Sequence, residues 1–148
     1  MNEVRNDAKE YLKQVRRFDI NIDSLLEEKA QMESLRDKIT SSWGGERVAG
    51  SGSQDKLGDT ISKIIDLENK IDQAVDNFVD KKAEVRAIIS KVGNPEQLEL
   101  LLKVYIHYES LEKVACEMGY TYRNACYIHG RALQSVTELL KGVDNDKA

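Results

Sequence analysis

The stretch that decides the fold is SLEKVACEMGYTYRNACYIHGRAL, residues 110 to 133. Two runs with the apolar spacing of helices flank a Gly-Tyr-Thr corner. Ala115 is the small residue needed where a second helix crosses the first closely, and Gly119 tolerates the positive φ of the turn. The apolar positions around the turn are Val114, Met118, Tyr120, Ala125 and Ile128. The spacing therefore predicts a helix-turn-helix.

The residues before this corner predict one more helix. Asn94 is a good N-cap, Pro95 suits the first helical position, and Gln97 can close a capping box. This helix carries apolar residues on one face and ends near His107. Together with the helix-turn-helix, it predicts a three-helix DNA-binding domain over residues 93–142.

Capping residues define the two helices of the corner. Ser110 caps the first, and Thr121 caps the second. The second has an apolar face from Ala125 to Leu140, and we expect it to end at Gly142. Residues 143–148 then form a polar tail.

The first half of the chain repeats apolar residues every seven positions. In the first run these are Val4, Tyr11, Phe18, Leu25, Met32 and Ile39, with Ala8, Val15 and Ile22 at the second seam position. The pattern predicts a coiled-coil-like helix over about residues 2–39.

A second heptad run follows. Its members are Leu57, Ile64, Ile71, Phe78, Val85 and Val92, with Ile61, Val75 and Ile89 at the other seam position, interrupted by Glu68 and Lys82. We expect a helix over residues 55–92, with Ser53 as its N-cap. The Gly/Ser-rich residues 40–54 join the two helices, so residues 1–92 predict an antiparallel hairpin. The chain is expected to be all-α.

Composition excludes several classes of protein. The net charge of −4 argues against a wholly basic nucleic-acid coat protein. The longest apolar run is far too short to cross a bilayer, so we expect no membrane contact. The charged N-terminus has no signal-peptide core, which predicts a cytoplasmic protein without disulfides. The Gly/Ser tract lacks the Lys-Ser or Lys-Thr ending of a phosphate loop. We therefore expect no nucleotide, other cofactor or metal.

Catalysis is not expected either. His107 and His129 are the only histidines, and neither has an obvious carboxylate or nucleophile partner at helical spacing. With Cys116 and Cys126 they do not match a zinc-finger spacing. The protein is therefore expected not to be an enzyme.

The register of the predicted helix-turn-helix leaves a polar face on its second helix. Arg123 suits a guanine edge and Asn124 an adenine edge. Tyr122 and Tyr127 suit phosphates or a thymine methyl, and Cys126 lies among them. The candidate phosphate contacts are Arg131, Lys113 and Lys141. His129 fits a phosphate contact and a half-buried helix residue equally well.

The first helix carries a row of cations three or four residues apart: Arg5, Lys9, Lys13, Arg16 and Arg17. This row is consistent with nucleic-acid contact. Acidic residues on the same helix make a solvated flank the simpler interpretation.

Two segments carry a family resemblance: YTYRNACYIHGRALQ (120–134) and ERVAGSGSQDKLGDTISKIIDLE (46–68). They resemble the phage-encoded regulators of the RinA/ArpU type, over about residues 9 to 140. Residues 111–140 also resemble region 4 of bacterial sigma factors, although no segment resembles the promoter-melting region. The resemblance implies a regulator of phage or prophage genes, often late genes, that binds upstream DNA or meets RNA polymerase.

The sequence thus predicts a sequence-specific regulator that binds double-stranded DNA, with the hairpin forming a homodimer. RNA polymerase or a phage protein is a further possible partner. The alternative is a non-enzymatic phage assembly or packaging adaptor that uses the helix-turn-helix as a protein contact.

Overall fold

The computed structural model describes the backbone of residues 2–43 and 51–146, and the side chains of residues 6–42 and 54–143. Helices and turns make up these described residues. Most of the expected Gly/Ser loop and the side chains of Val4, Arg5, Trp43 and Ser53 lie outside them. The expected all-α class is confirmed: a long helical hairpin is followed by shorter helices.

Helix α1 spans Asn2–Trp43 and helix α2 spans Ser51–Ser90. Tyr11 Oη donates to Glu84 at 2.8 Å, and Lys29 Nζ lies 3.5 Å from Glu68. The position on α2 falls as the position on α1 rises, so the two helices are antiparallel. Helix α1 ends four residues later than expected, and α2 begins before Ser53, so Ser53 is not its N-cap.

The chain forms two compact units. We call residues 1–17 with 78–148 the terminal unit, because it contains both chain ends, and residues 18–77 the central unit. The expected division into a hairpin over residues 1–92 and a separate domain over residues 93–142 stays a prediction.

The seam of α2 is displaced from the expected one. Leu57, Ile64 and Ile71 lie on the seam as predicted, but its other members are Thr60, Leu67 and Ala74, all buried. Ile61 and Val75 are exposed instead. In a heptad pattern, the second seam position follows the first by three or four residues. Most residues at both spacings in α2 are apolar, so the sequence permits either seam. Glu68 and Lys82 follow seam positions by one residue, so they do not interrupt the seam.

The terminal unit holds the main core. Its buried residues come from α1 (Ala8, Leu12 and Val15), from α2 (Val85, Ile88, Ile89 and Val92), and from the shorter helices (Leu101, Tyr105, Ile106, Ala132, Leu133 and Val136). The shorter helices thus share one core with the start of α1 and the end of α2.

Helix α3 spans Pro95–Leu101 and continues as a π-helical turn over Leu102–Ile106. Asn94 Oδ1 accepts from the backbone amides of Glu96 and Gln97, as expected of an N-cap. The capping box is wrong, because the Gln97 side chain accepts instead from Ser135 Oγ at 2.7 Å. That bond ties α3 to a residue 38 positions later.

Helix α4 spans Leu111–Met118 and helix α5 spans Tyr122–Asp146. The expected end of α5 at Gly142 is wrong, since the helix continues through it for another turn. A single glycine weakens a helix by about 1 kcal/mol without necessarily ending it. Within the described part of the chain, no helix combines the length and apolar character needed to span a membrane.

Gly119, which ends α4, and Gly142, which lies inside α5, should respond oppositely to alanine. Gly119 has φ +74, where a Cβ is strained by about 1–2 kcal/mol, so Gly119→Ala should destabilise the protein. Gly142 is helical, and a Cβ there meets nothing within 4 Å, so Gly142→Ala should stabilise by about 0.5–1 kcal/mol. Urea unfolding of both variants measures the signs. A loss of stability in Gly142→Ala would contradict the continued helix.

Candidate nucleic-acid interface

The turn between α4 and α5 is a Schellman motif. Ser110 Oγ accepts from Lys113 N at the start of α4, and Gly119 is left-handed at its end, both as predicted. Tyr120 N donates to Ala115 O at 2.8 Å, and Gly119 N donates to Cys116 O at 3.3 Å. These bonds satisfy two terminal carbonyls of α4 and fix the direction in which the chain enters α5.

A small apolar cluster holds α4 against α5. Its buried members are Leu100, Val114 and Ile128, and Met118 and Tyr120 pack on it. Ala115 is also buried, as the close crossing of the two helices requires. The inner face of the corner therefore has the predicted register.

The first two turns of α5 present polar side chains to solvent. Thr121 Oγ1 accepts from Asn124 N at 3.1 Å, which confirms Thr121 as the N-cap. Arg123 and Asn124 are exposed, and within the described residues neither side chain makes a hydrogen bond or ion pair. Both side chains are thus available to a ligand on the outer surface of the corner.

Three tyrosine and cysteine side chains frame this pair. Tyr122 and Tyr127 are 53% and 60% exposed, large values for aromatic rings. Cys126 is half-buried, less exposed than the register suggested, and its hydrogen bond with Tyr122 is the main reason that the pKa of Tyr122 is raised. The chain therefore places Cys126 at the edge of the polar face.

Arg131 is held against Tyr127, one turn earlier. Its Nε donates to Tyr127 Oη at 3.0 Å, and its guanidinium carbon lies 5.2 Å from the ring centre. Lys141 is exposed farther along α5. We call the five exposed residues in the first three turns of α5 the reading face: Tyr122, Arg123, Asn124, Tyr127 and Arg131.

Lys113 is in a different environment. Its Nζ lies 3.8 Å from both Glu109 and Glu117, while Lys103 Nζ lies 2.7 Å from Glu117. The hydrogen bond from Lys103 lowers the pKa of Glu117. The charges of these two lysines and two glutamates balance, and Glu112 of α4 adds a negative charge that acts on Tyr122. Lys113 is therefore less available to a phosphate than the sequence suggested.

The surroundings of His129 favour a half-buried helix residue over a phosphate contact. Its Nε2 lies 2.6 Å from Tyr105 Oη, and the two rings stack with centres 5.8 Å apart. Burial, with smaller contributions from Lys9 and Lys13, lowers the pKa of His129 to about 4. His129 is therefore a half-buried, neutral packing residue that shares a hydrogen bond with Tyr105. This pair was not predictable from sequence spacing, because Tyr105 lies in the π turn.

Charge is divided unevenly between the two units. The terminal unit contains 15 Lys and Arg against 13 Asp and Glu, a net charge of +2. The central unit contains seven against 13, a net charge of −6. The whole excess of negative charge thus belongs to the part of the chain that lacks the reading face. In the described residues, no group of three or more metal-binding side chains comes together.

Residues 38–138 match a family described as "Protein of unknown function (DUF1492)", and the chain belongs to this family. The match covers α2, α3, α4 and most of α5, including the reading face. No curated protein and no solved structure matches the chain. The finer resemblance to RinA/ArpU regulators and to sigma region 4 stays a prediction.

Proposed function

We propose that this DUF1492 protein is a sequence-specific DNA-binding transcriptional regulator. The observation that carries the proposal is the reading face: Arg123 and Asn124 are exposed and unpaired at the start of a helix aimed by a left-handed turn. In helix-turn-helix proteins, this part of the second helix enters the major groove.

Each exposed side chain has a chemical role in the proposal. Arg123 would form two hydrogen bonds with a guanine edge, and Asn124 two with an adenine edge. Tyr122 and Tyr127 offer hydroxyls to phosphates and rings to thymine methyls. Arg131, Lys141 and Lys113 would contact phosphates, with Lys113 the weakest because of Glu109 and Glu117.

The distribution of charge supports DNA as the ligand. Phosphate contact depends on the charge near the interface rather than on the charge of the whole chain. The net −4 of the protein arises from the central unit, while the unit with the reading face is net positive.

The central unit supports a homodimer through the hairpin. It exposes large apolar side chains, including Ile61 and Ile65, one turn apart on α2, and Leu26 on α1. A second copy would remove these side chains from water. Two reading faces would then bind two half-sites, which raises affinity beyond that of one weakly basic domain.

A role in phage or prophage gene expression, often of late genes, rests on the resemblance to RinA/ArpU regulators and to sigma region 4. By the same resemblance, RNA polymerase or a phage protein is a second partner. The regulator would act in the cytoplasm, where its DNA is, and without catalysis.

The experiment is selection of bound sequences from random double-stranded DNA, followed by affinity measurements on the selected site. Arg123→Ala should weaken binding to that site by about 1–3 kcal/mol and relax the preference at one base pair. Removal of one bidentate base contact has this effect, while non-specific binding persists.

Arg86→Ala is the matched control, because Arg86 is an exposed arginine on α2 of the same unit. It should bind the selected site as the wild type does. Equal affinity of wild type and Arg123→Ala would disprove the assigned register.

The exposed rings of Tyr122 and Tyr127 favour the second candidate, an assembly or packaging adaptor, because tyrosine is enriched in protein interfaces. The two functions differ in an electrophoretic mobility shift at low salt, where electrostatic binding to DNA is strongest. Absence of a shift there would favour the adaptor.

A further inference from the structure

We propose that Lys9, Lys13 and Arg16 of α1 form a second DNA-binding surface, a basic ridge that holds the phosphate backbone beside the groove entered by α5. The inference rests on the proposed function and adds to it a part of the chain outside the helix-turn-helix.

The ridge follows from the register of α1. Ala8, Leu12 and Val15 are fully buried in the core of the terminal unit, and each cation follows one of them by one residue. The spacing of three and four residues places all three cations on one side of the helix. Lys13 and Arg16 are exposed and Lys9 is half-buried, so the ridge lies along the border of the core.

The same core brings the ridge to α5. Ala132, Leu133 and Val136 of α5 belong to one cluster with the three buried α1 residues. Lys9 and Lys13 both act electrostatically on His129, which belongs to the N-terminal half of α5, as the reading face does. The ridge therefore lies along the half of α5 that carries the reading face.

The cations of the ridge lack ion-pair partners: in the described part of the chain, Lys9, Lys13 and Arg16 form no ion pair. Glu10 pairs with Arg17, and Lys13 and Lys9 make only smaller electrostatic contributions to its lowered pKa. The guanidinium carbon of Arg16 lies 5.5 Å from the ring centre of Tyr108. Tyr108 belongs to the loop that follows the π turn. On the α4 flank of the corner, the lysines are already engaged, because Lys103 and Lys113 pair with Glu109 and Glu117.

This asymmetry indicates which flank meets phosphate. A helix in the major groove has a sugar-phosphate strand on each side, and lysine and arginine contacts to those strands position the protein without reading sequence. The α1 flank offers cations without ion-pair partners among the described residues, whereas Lys103 and Lys113 on the α4 flank are paired with glutamates. The sequence alone favoured a solvated flank for the basic row of α1. The shared core brings that row to α5 and so makes it part of the proposed interface.

The test is the salt dependence of DNA binding by the full chain with Lys9→Gln and Lys13→Gln combined. Each phosphate contact contributes about 0.9 to the slope of log affinity against log salt, so loss of two contacts should reduce the slope by about 2. Affinity should fall equally for the selected site and for random DNA, so the ratio between them stays unchanged. That result would separate the ridge from the base contacts of Arg123.

The control combines Lys63→Gln and Lys70→Gln, two exposed lysines of the central unit, which change the net charge by the same amount. Thermal unfolding confirms that both double variants fold. A wild-type slope in the ridge variant, or the same loss in the control, overturns the ridge and leaves the proposed function standing. Absence of any wild-type binding at low salt overturns the proposed function together with the ridge.

Discussion

Replacement of Leu12 by alanine is expected to lower the free energy of unfolding by about 2–5 kcal/mol. Leu12 has no exposed surface and packs in the core that joins α1 to α2 and α5. Alanine removes three carbon atoms and leaves a cavity that the surrounding helices can only partly close. Urea unfolding followed by circular dichroism measures the loss.

Leu26→Ala is the matched control, with the same chemical change on the same helix. Leu26 is 47% exposed, so its truncation should cost less than about 1 kcal/mol. Similar losses in the two variants would mean that the assigned seam of α1 is wrong. The pair therefore tests which side of α1 faces the core.

The second large effect is on the pH dependence of stability. The pKa of His129 is lowered from 6.5 to about 4, mainly by burial and also by Lys9 and Lys13 of α1, so the folded protein opposes its protonation. In the unfolded chain His129 takes up a proton near pH 6.5. The stability associated with neutral His129 is therefore fully present above pH 6.5 and is lost as the pH falls towards 4.

A shift of this size corresponds to about 3 kcal/mol over that range. His129→Gln should remove this part of the pH dependence, so its curve of unfolding free energy against pH should be flatter than that of the wild type between pH 6.5 and 4. His107→Gln is the control, since His107 is exposed, and it should retain the wild-type slope. Parallel wild-type and His129→Gln curves would contradict the buried Tyr105–His129 pair.

Local features of the fold were predictable from the sequence. Asn94, Ser110 and Thr121 cap helices where they were expected to, and Gly119 takes the left-handed conformation. Each depends on contacts within a few residues, such as a side-chain oxygen and a nearby amide, so the sequence carries the whole signal. The exposure of Arg123 and Asn124 follows in the same way from helical periodicity.

The seams and the distant partners were not predictable in this way. The heptad pattern of α2 admitted two second seams, and only packing against α1 selects Leu67 and Ala74 over Ile61 and Val75. The Gln97 side chain accepts a hydrogen bond from Ser135, 38 residues away, instead of closing the local capping box. Such choices depend on which surfaces meet, which short-range spacing does not encode.

The sequence by itself determined that the chain is helical, where the corner bends, and that Arg123, Asn124 and Tyr127 of α5 face outward. Hydrogen bonds at caps and the period of the helix fix these features locally. The tertiary structure alone decided that Lys9 and Lys13 lie beside His129, that Lys113 pairs with two glutamates, and that Leu12 is fully buried. These outcomes depend on which helices share a core, and that is set by packing between segments far apart in the chain.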